Sequence, residues 1–111
     1  MGRWAQAARR GGAAPAAGPV GPPAAPTIRT AGIDLLQDSN SIPDVGGTVR
    51  LYRADTPGPP YTLEDGPFAW SATYNWGELA GYGPGYYVCT ETGNGVDYVG
   101  ESAFSNEIQE V

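Results

Sequence analysis

Histidine and lysine are absent from the 111-residue chain, and cysteine and methionine occur once each, as Cys89 and Met1. A lone cysteine closes no intrachain disulfide. Without histidine there is no Cys/His zinc site or His-based triad, and without lysine no Schiff base. No apolar run approaches the roughly 18 residues of a membrane-spanning helix. The Gly-Gly-Ala-Ala-Pro stretch after Arg9 and Arg10 is too poor in large apolar residues for a secretory or twin-arginine signal. No Asn-x-Ser/Thr glycosylation sequon occurs either. These gaps exclude most familiar enzyme chemistries, so the expectation is a non-enzymatic protein with no cofactor, no metal and no membrane contact.

What is plentiful is glycine and proline, 17 and 11 residues, so turns and chain breaks dominate and long helices are not expected. The length suits a single domain. Charge is divided unevenly. Residues 1–25 carry Arg3, Arg9 and Arg10 and no acid, whereas residues 26–111 carry all 12 acidic residues against Arg29, Arg50 and Arg53. A body this acidic would repel a phosphate backbone, which argues against nucleic acid as a partner. Residues 1–25 are rich in Ala, Gly and Pro, with Trp4 the one aromatic, and cannot bury enough apolar surface to offset their ordering entropy. They read as an extended arm. It is either a plain linker or an anchor in which Trp4 provides one large apolar contact and Arg3, Arg9 and Arg10 pair with a partner's carboxylates.

From residue 26 onward, short alternating runs separated by turn formers predict an antiparallel β protein. Strands are expected over 27–30, 33–37, 48–54, 61–63, 68–76, 85–92 and 98–111, the last interrupted near Gly100. In 48–54 the alternation points Val49 and Leu51 inward and Arg50, Tyr52 and Arg53 toward solvent. The prolines of 55–60 break the chain because proline cannot donate to a ladder. Gly93-Asn94-Gly95 offers the positive-φ residues of a hairpin joining the last two strands. About seven strands without a helical segment predict a two-sheet sandwich.

Gly83-x-Gly85-x-Tyr87-x-Cys89 resembles the penultimate-strand signature of immunoglobulin domains, which implies that the Tyr87 hydroxyl bonds to backbone upstream. Gly83 stands where that signature has Asp, and no partner cysteine is present. The tail Gly100-Glu101-Ser102-Ala103-Phe104-Ser105-Asn106-Glu107-Ile108 is similar to the last strand of a fibronectin type III module. Ser71-Ala72-Thr73-Tyr74 followed by Tyr87 resembles immunoglobulin-like repeats of bacterial surface and phage proteins. Together these imply an all-β, immunoglobulin-like two-sheet antiparallel sandwich over 26–111 with an extended N-terminal arm. Two registers compete for 85–92. Tyr86, Val88 and Thr90 inward is the fibronectin pattern; Tyr87 and Cys89 inward is preferred, because cysteine is among the most buried residues and Glu91 could then escape at the strand end. Trp70, Tyr87, Cys89 and Phe104 are the expected core.

Trp76, Tyr82 and Tyr86 are candidate surface aromatics, able to stack on a sugar or bury against a protein. Residues 38–44 offer oxygen atoms to calcium but lack the glycine and terminal glutamate of a dedicated loop, so a polar turn is expected. Glu64-Asp65 beside Gly66-Pro67 reads as a turn. A chain that begins at Met without an export segment is expected to act where it is made or to leave by lysis, as virion proteins do. By resemblance and elimination, the expectation is an accessory structural protein of a tailed-bacteriophage virion, a capsid decoration protein whose arm grips the major capsid protein or another virion protein. Weak binding to host-surface glycans and oligomerisation in the assembly are compatible with this. The alternatives are a carbohydrate-binding or adhesin-type immunoglobulin-like module and a tail or baseplate accessory protein.

Overall fold

In the computed structural model, which describes residues 21–111, the chain is an all-β sandwich of two antiparallel sheets, compatible with an immunoglobulin-like fold. The strands are β1 (Thr27–Ala31), β2 (Asp34–Asp38), β3 (Thr48–Ala54), β4 (Thr62–Ala69), β5 (Thr73–Glu78), β6 (Gly85–Thr92) and β7 (Ile108–Glu110), with a 3₁₀ turn at Leu79–Tyr82. One sheet has the order β1-β2-β5 and the other β4-β3-β6-β7. Residues 21–26 already pack on the body. Pro23 and Pro26 are buried, the Val99 amide donates to Gly21 O (2.8 Å), and the Ala24 amide donates to Ser41 Oγ (2.8 Å).

Period-two alternation fixes which side chains fill the space between the sheets. Ile28 of β1, Leu35 of β2, Val49 and Leu51 of β3, Trp76 of β5, Leu79, and Tyr87 and Cys89 of β6 form the core cluster. Leu51 faces Cys89 across the β3–β6 ladder, and both are fully buried. The β1–β2 hairpin turns at Gly32-Ile33, with Ala31 opposite Asp34. Ile33 is therefore an exposed turn residue and not the start of a strand.

The expected single strand over 68–76 is divided. Residues through Ala69 complete β4 beside β3, the chain crosses between sheets at Trp70–Ala72, and β5 begins beside β2 at Thr73. The expected short strand at 61–63 is the beginning of this longer β4. Glu64 and Asp65 lie within it, not in a turn. The strand instead absorbs Gly66-Pro67 as an irregularity in the β3–β4 register. Gly66 is required there: its φ is +96°, and a Cβ would lie 2.7 Å from Val49 O.

Tyr87 donates its hydroxyl to Gly83 O at 2.6 Å, bracing the entry to β6 as the immunoglobulin resemblance implies. Both candidate registers of β6 nevertheless end in burial. Tyr87, Cys89 and Glu91 point between the sheets, while Val88 and Thr90 on the outer face are only 1% exposed. Glu91 does not escape at the strand end and is fully buried.

The covering of that outer face comes from the tail. The hairpin after β6 turns at Gly95–Tyr98, two residues later than the glycine pair suggests, with Gly95 N donating to Tyr98 O (2.8 Å) and Gly93 N to Gly100 O (2.9 Å). Asn94 Oδ1 organises it by accepting the Val96 and Asp97 amides. The returning chain is regular only over Ile108–Glu110. Before that it slips against β6 by one residue twice, from Thr92 opposite Glu101, through Cys89 opposite Ser105, to Tyr87 opposite Ile108. At each slip a serine hydroxyl replaces a ladder carbonyl. Ser102 N donates to Glu91 O (2.8 Å) while Ser102 Oγ accepts Glu91 N–H (3.0 Å). Ser105 N donates to Cys89 O (2.9 Å) while Ser105 Oγ accepts Cys89 N–H (2.8 Å). Asn106 does the same for the edge of β1, accepting Ile28 N–H through Oδ1 (2.8 Å) and donating through Nδ2 to Ile28 O (2.9 Å). Ser105→Ala leaves the Cys89 amide without its acceptor and is expected to destabilise the fold by about 1–3 kcal/mol in urea unfolding, with Ser105→Thr recovering part of the loss.

Candidate docking face of the four-stranded sheet

On the outer face of the second sheet, β3 presents Tyr52 between Leu63 of β4 and Val88 of β6. The tail drapes Phe104 onto Tyr52, with ring centroids 5.2 Å apart at 75°, and Tyr61 meets Phe104 from the other side at 4.9 Å and 65°. These edge-to-face contacts suit the ring quadrupoles. The hydroxyl groups are tied down by two tail carboxylates. Tyr52 bonds Glu101, whose Oε2 also accepts Thr90 Oγ1–H (2.6 Å), and Tyr61 bonds Glu107, whose Oε1 also accepts Gly58 N–H (2.9 Å). The Glu107 hydrogen bond, with a smaller contribution from burial, pushes the Tyr61 phenol up to about 12. For Tyr52 burial comes first and the Glu101 bond second, again upward. Both phenols are thus fixed donors at neutral pH, leaving a three-ring cluster with locked rotamers and an acidic border. Phe104 remains 44% exposed and Leu63 52%.

The aromatics selected from sequence are distributed differently. Trp76, expected on the surface, is in the core. Its Nε1 donates to Gln37 Oε1 (3.0 Å), and Gln37 Nε2 donates across the sandwich to Thr90 O (3.0 Å). Phe104, expected in the core, is on the surface. The reversal follows from strand division. The crossing at Trp70–Ala72 sets the phase of β5 so that Trp76 points inward, and the one-residue slip of the tail between Ser102 and Ser105 carries Phe104 to the outer face. Tyr82 lies half-buried on the 3₁₀ turn, donating to Asp65 Oδ2 (2.7 Å) in the seam between β4 and β5. Burial, reinforced by the Asp65 bond, pushes its phenol up. That seam is closed by Phe68 stacked on Tyr74 (6.2 Å, 7°) and by Tyr74 edge-on to Trp76 (4.7 Å), which makes it packing rather than a binding platform. Tyr86 is half-buried on the outer face beside a hollow of about 360 Å³ lined by Arg53, Pro84 and Gln109. Trp76, Tyr82 and Tyr86 therefore do not share one surface.

Tyr87 and Cys89 are in the core, and burial pushes the Cys89 thiol up, away from nucleophilic chemistry. Trp70 is half-buried against the core cluster. Arg3, Trp4, Arg9 and Arg10 lie outside the described residues. Among the described residues no cluster of three or more His, Cys, Asp or Glu could hold a metal ion, and no helix is long and apolar enough to cross a membrane. Tyr52 and Tyr61 were missed in sequence because the rings that meet Phe104 come from well-separated segments. The available signal was the outward phase of Tyr52 in 48–54. Comparison with protein-family models, with curated proteins and with solved structures finds no match to the chain.

The exchange of roles between two aromatics is measurable. Trp76→Ala is expected to cost about 3–5 kcal/mol of stability, whereas Phe104→Ala, which removes a half-exposed ring, is expected to cost roughly 1 kcal/mol. Urea unfolding of the two variants checks the order.

Proposed function

We propose that the chain is a non-enzymatic docking module whose β-sandwich meets a protein partner through Tyr52, Tyr61, Phe104 and Leu63, with the basic N-terminal arm adding charge contacts. The observation that carries this reading is the rigid aromatic cluster on the outer face of the four-stranded sheet. Immobilised tyrosine and phenylalanine rings lose little entropy on binding, and such residues are enriched in interface cores. The acidic border of Glu101 and Glu107 favours a partner with arginine or lysine beside an apolar spot. β4 pairs with β3 and not with β5, which departs from the constant-type immunoglobulin arrangement and favours the fibronectin type III resemblance of the tail.

The setting we favour is a virion of the tailed-bacteriophage kind, with the protein as a capsid decoration or accessory head protein on the major capsid protein. It rests on the resemblances and on the pairing of a basic arm with an acidic body. A glycan-binding adhesin module is the rival. The mutual ring angles of 75° and 65° support protein contact over sugar, because stacking on a pyranose needs a flat exposed ring face and these rings meet edge to face.

Co-sedimentation with particles lacking the protein tests the reading. Phe104→Arg is expected to weaken association by about tenfold or more while leaving the circular dichroism spectrum unchanged. Replacing Arg3, Arg9 and Arg10 with alanine is expected to make the remaining association less sensitive to salt. Wild-type association by Phe104→Arg would overturn the docking face, and retention on a glycan array that this substitution abolishes would favour the sugar reading instead.

A further inference from the structure

The end of the sandwich where residues 21–26 join it holds a cluster of buried polar groups that the docking face does not use. Asp44, from the loop between β2 and β3, and Glu91, near the end of β6, are both fully buried. Each has one oxygen already bonded. Glu91 Oε1 accepts the Ser39 hydroxyl (2.6 Å), and Asp44 Oδ1 accepts the Asn94 amide (2.9 Å). Each also has one oxygen, Glu91 Oε2 and Asp44 Oδ2, that is shielded from water and has no donor. Trp70 Nε1, beside the Glu91 carboxylate, is a third buried group without a partner.

The Glu91 carboxyl lies within hydrogen-bonding reach of Asp44, and two buried carboxylates so placed do not both carry charge, because the charges repel and neither is hydrated. A proton between them satisfies both orphan oxygens at once. We propose that the Glu91 carboxyl stays protonated and donates from Oε2 to Asp44 Oδ2, and that this hydrogen bond latches the loop of residues 39–47 and the root of the N-terminal arm onto the end of β6. The root depends on the same pole through two bonds. Ala24 N–H is held by Ser41 Oγ, and Gly21 O accepts from Val99 of the hairpin that Asn94 ties to Asp44 and, through Nδ2, to Val45 O.

The other charged groups nearby are engaged elsewhere. Arg50 is on the opposite face of β3 and donates to Thr92 Oγ1, Asp38 pairs with Arg29, Asp97 accepts from Asn94, and Glu101 serves Tyr52 and Thr90. Among the described residues no cation faces the pair. Burial, then the bond to and the charge of Asp44, push the Glu91 carboxyl up to about 8. A carboxyl raised on folding contributes stability in full below its unfolded value near 4.5, loses it progressively as pH climbs, and contributes none above about 8. The latch is therefore closed in mild acid and open in mild alkali.

Carbon-detected NMR of the full chain from pH 4 to 9 reads the Glu91 carboxyl directly. The expected result is a Glu91 midpoint well above the usual carboxylate range, with the Ala24, Asn94 and Val99 amides shifting at that same midpoint. Glu91→Gln, which imitates the protonated acid, is expected to remove the shifts of Ala24 and Val99. Its melting temperature should exceed that of wild type by at least about 5 °C at pH 8.5, with the gap closing at pH 5. A Glu91 midpoint near 4.5, or Ala24 and Val99 amides indifferent to its titration, overturns the proposal. If Glu91→Gln fails to fold, the wild-type titration alone decides.

Discussion

The sandwich depends on burying one strand from both sides. β6 sends Tyr87, Cys89 and Glu91 between the sheets, yet Val88 and Thr90 on its other face are also shielded from water. Such a strand must have its N–H and C=O groups bonded along both edges, since each orphan would cost about 1–3 kcal/mol. β3 satisfies one edge with a seven-residue ladder. On the other edge β7 is only three residues long, and Ser102 and Ser105 complete the closure with their own hydroxyls. The serine positions of the Glu-Ser-Ala-Phe-Ser-Asn-Glu stretch are therefore backbone substitutes.

The candidate docking face is a by-product of that closure. Because the tail slips against β6 once between Ser102 and Ser105 and again after Ser105, the residues around the serines land on the outer surface of the sheet: Glu101 on Tyr52 and Thr90, Phe104 between Tyr52 and Tyr61, Glu107 on Tyr61. A regular strand would have kept strict alternation and left Tyr52 without a partner of its own height. The interior uses hydrogen bonding to specify pairing as well. Gln37 joins Trp76 of its own sheet to the Thr90 carbonyl of the other. That geometry is lost even by a two-residue slip of β2, which keeps the same face inward and which a purely apolar contact would tolerate.

Much of this was legible in the chain. Thr48–Ala54 and Gly85–Thr92 were read to their ends, because both are rich in β-branched and aromatic residues and are bounded by glycine or by proline-rich breaks. The inward phase of Val49 and Leu51 followed from alternation, the burial of Cys89 from its residue type, and the upstream hydroxyl bond of Tyr87 from the immunoglobulin resemblance. Three features were not. The division between β4 and β5 carries no glycine or proline, since Trp70-Ser71-Ala72 turns without them, and this misassigned Trp76. The slips of the tail depend on serine hydroxyls that imitate carbonyls, a substitution invisible to periodicity, and this misassigned Phe104. Glu91 was sent to solvent by its charge alone, because its partner Asp44 lies far away in sequence in a loop that read as a polar turn.

Amide hydrogen exchange at Cys89 and Glu91 tests the closure of β6 most directly, since these are the two donors held by side-chain hydroxyls and not by a ladder carbonyl. If Ser102 and Ser105 complete the strand, both amides exchange only through global unfolding, with protection equal to that of the Leu51 amide in β3 and falling in step with it as urea is added. Exchange at Cys89 and Glu91 that is orders of magnitude faster than at Leu51, and insensitive to urea, would mean that the tail opens locally and that β6 is held from one side only.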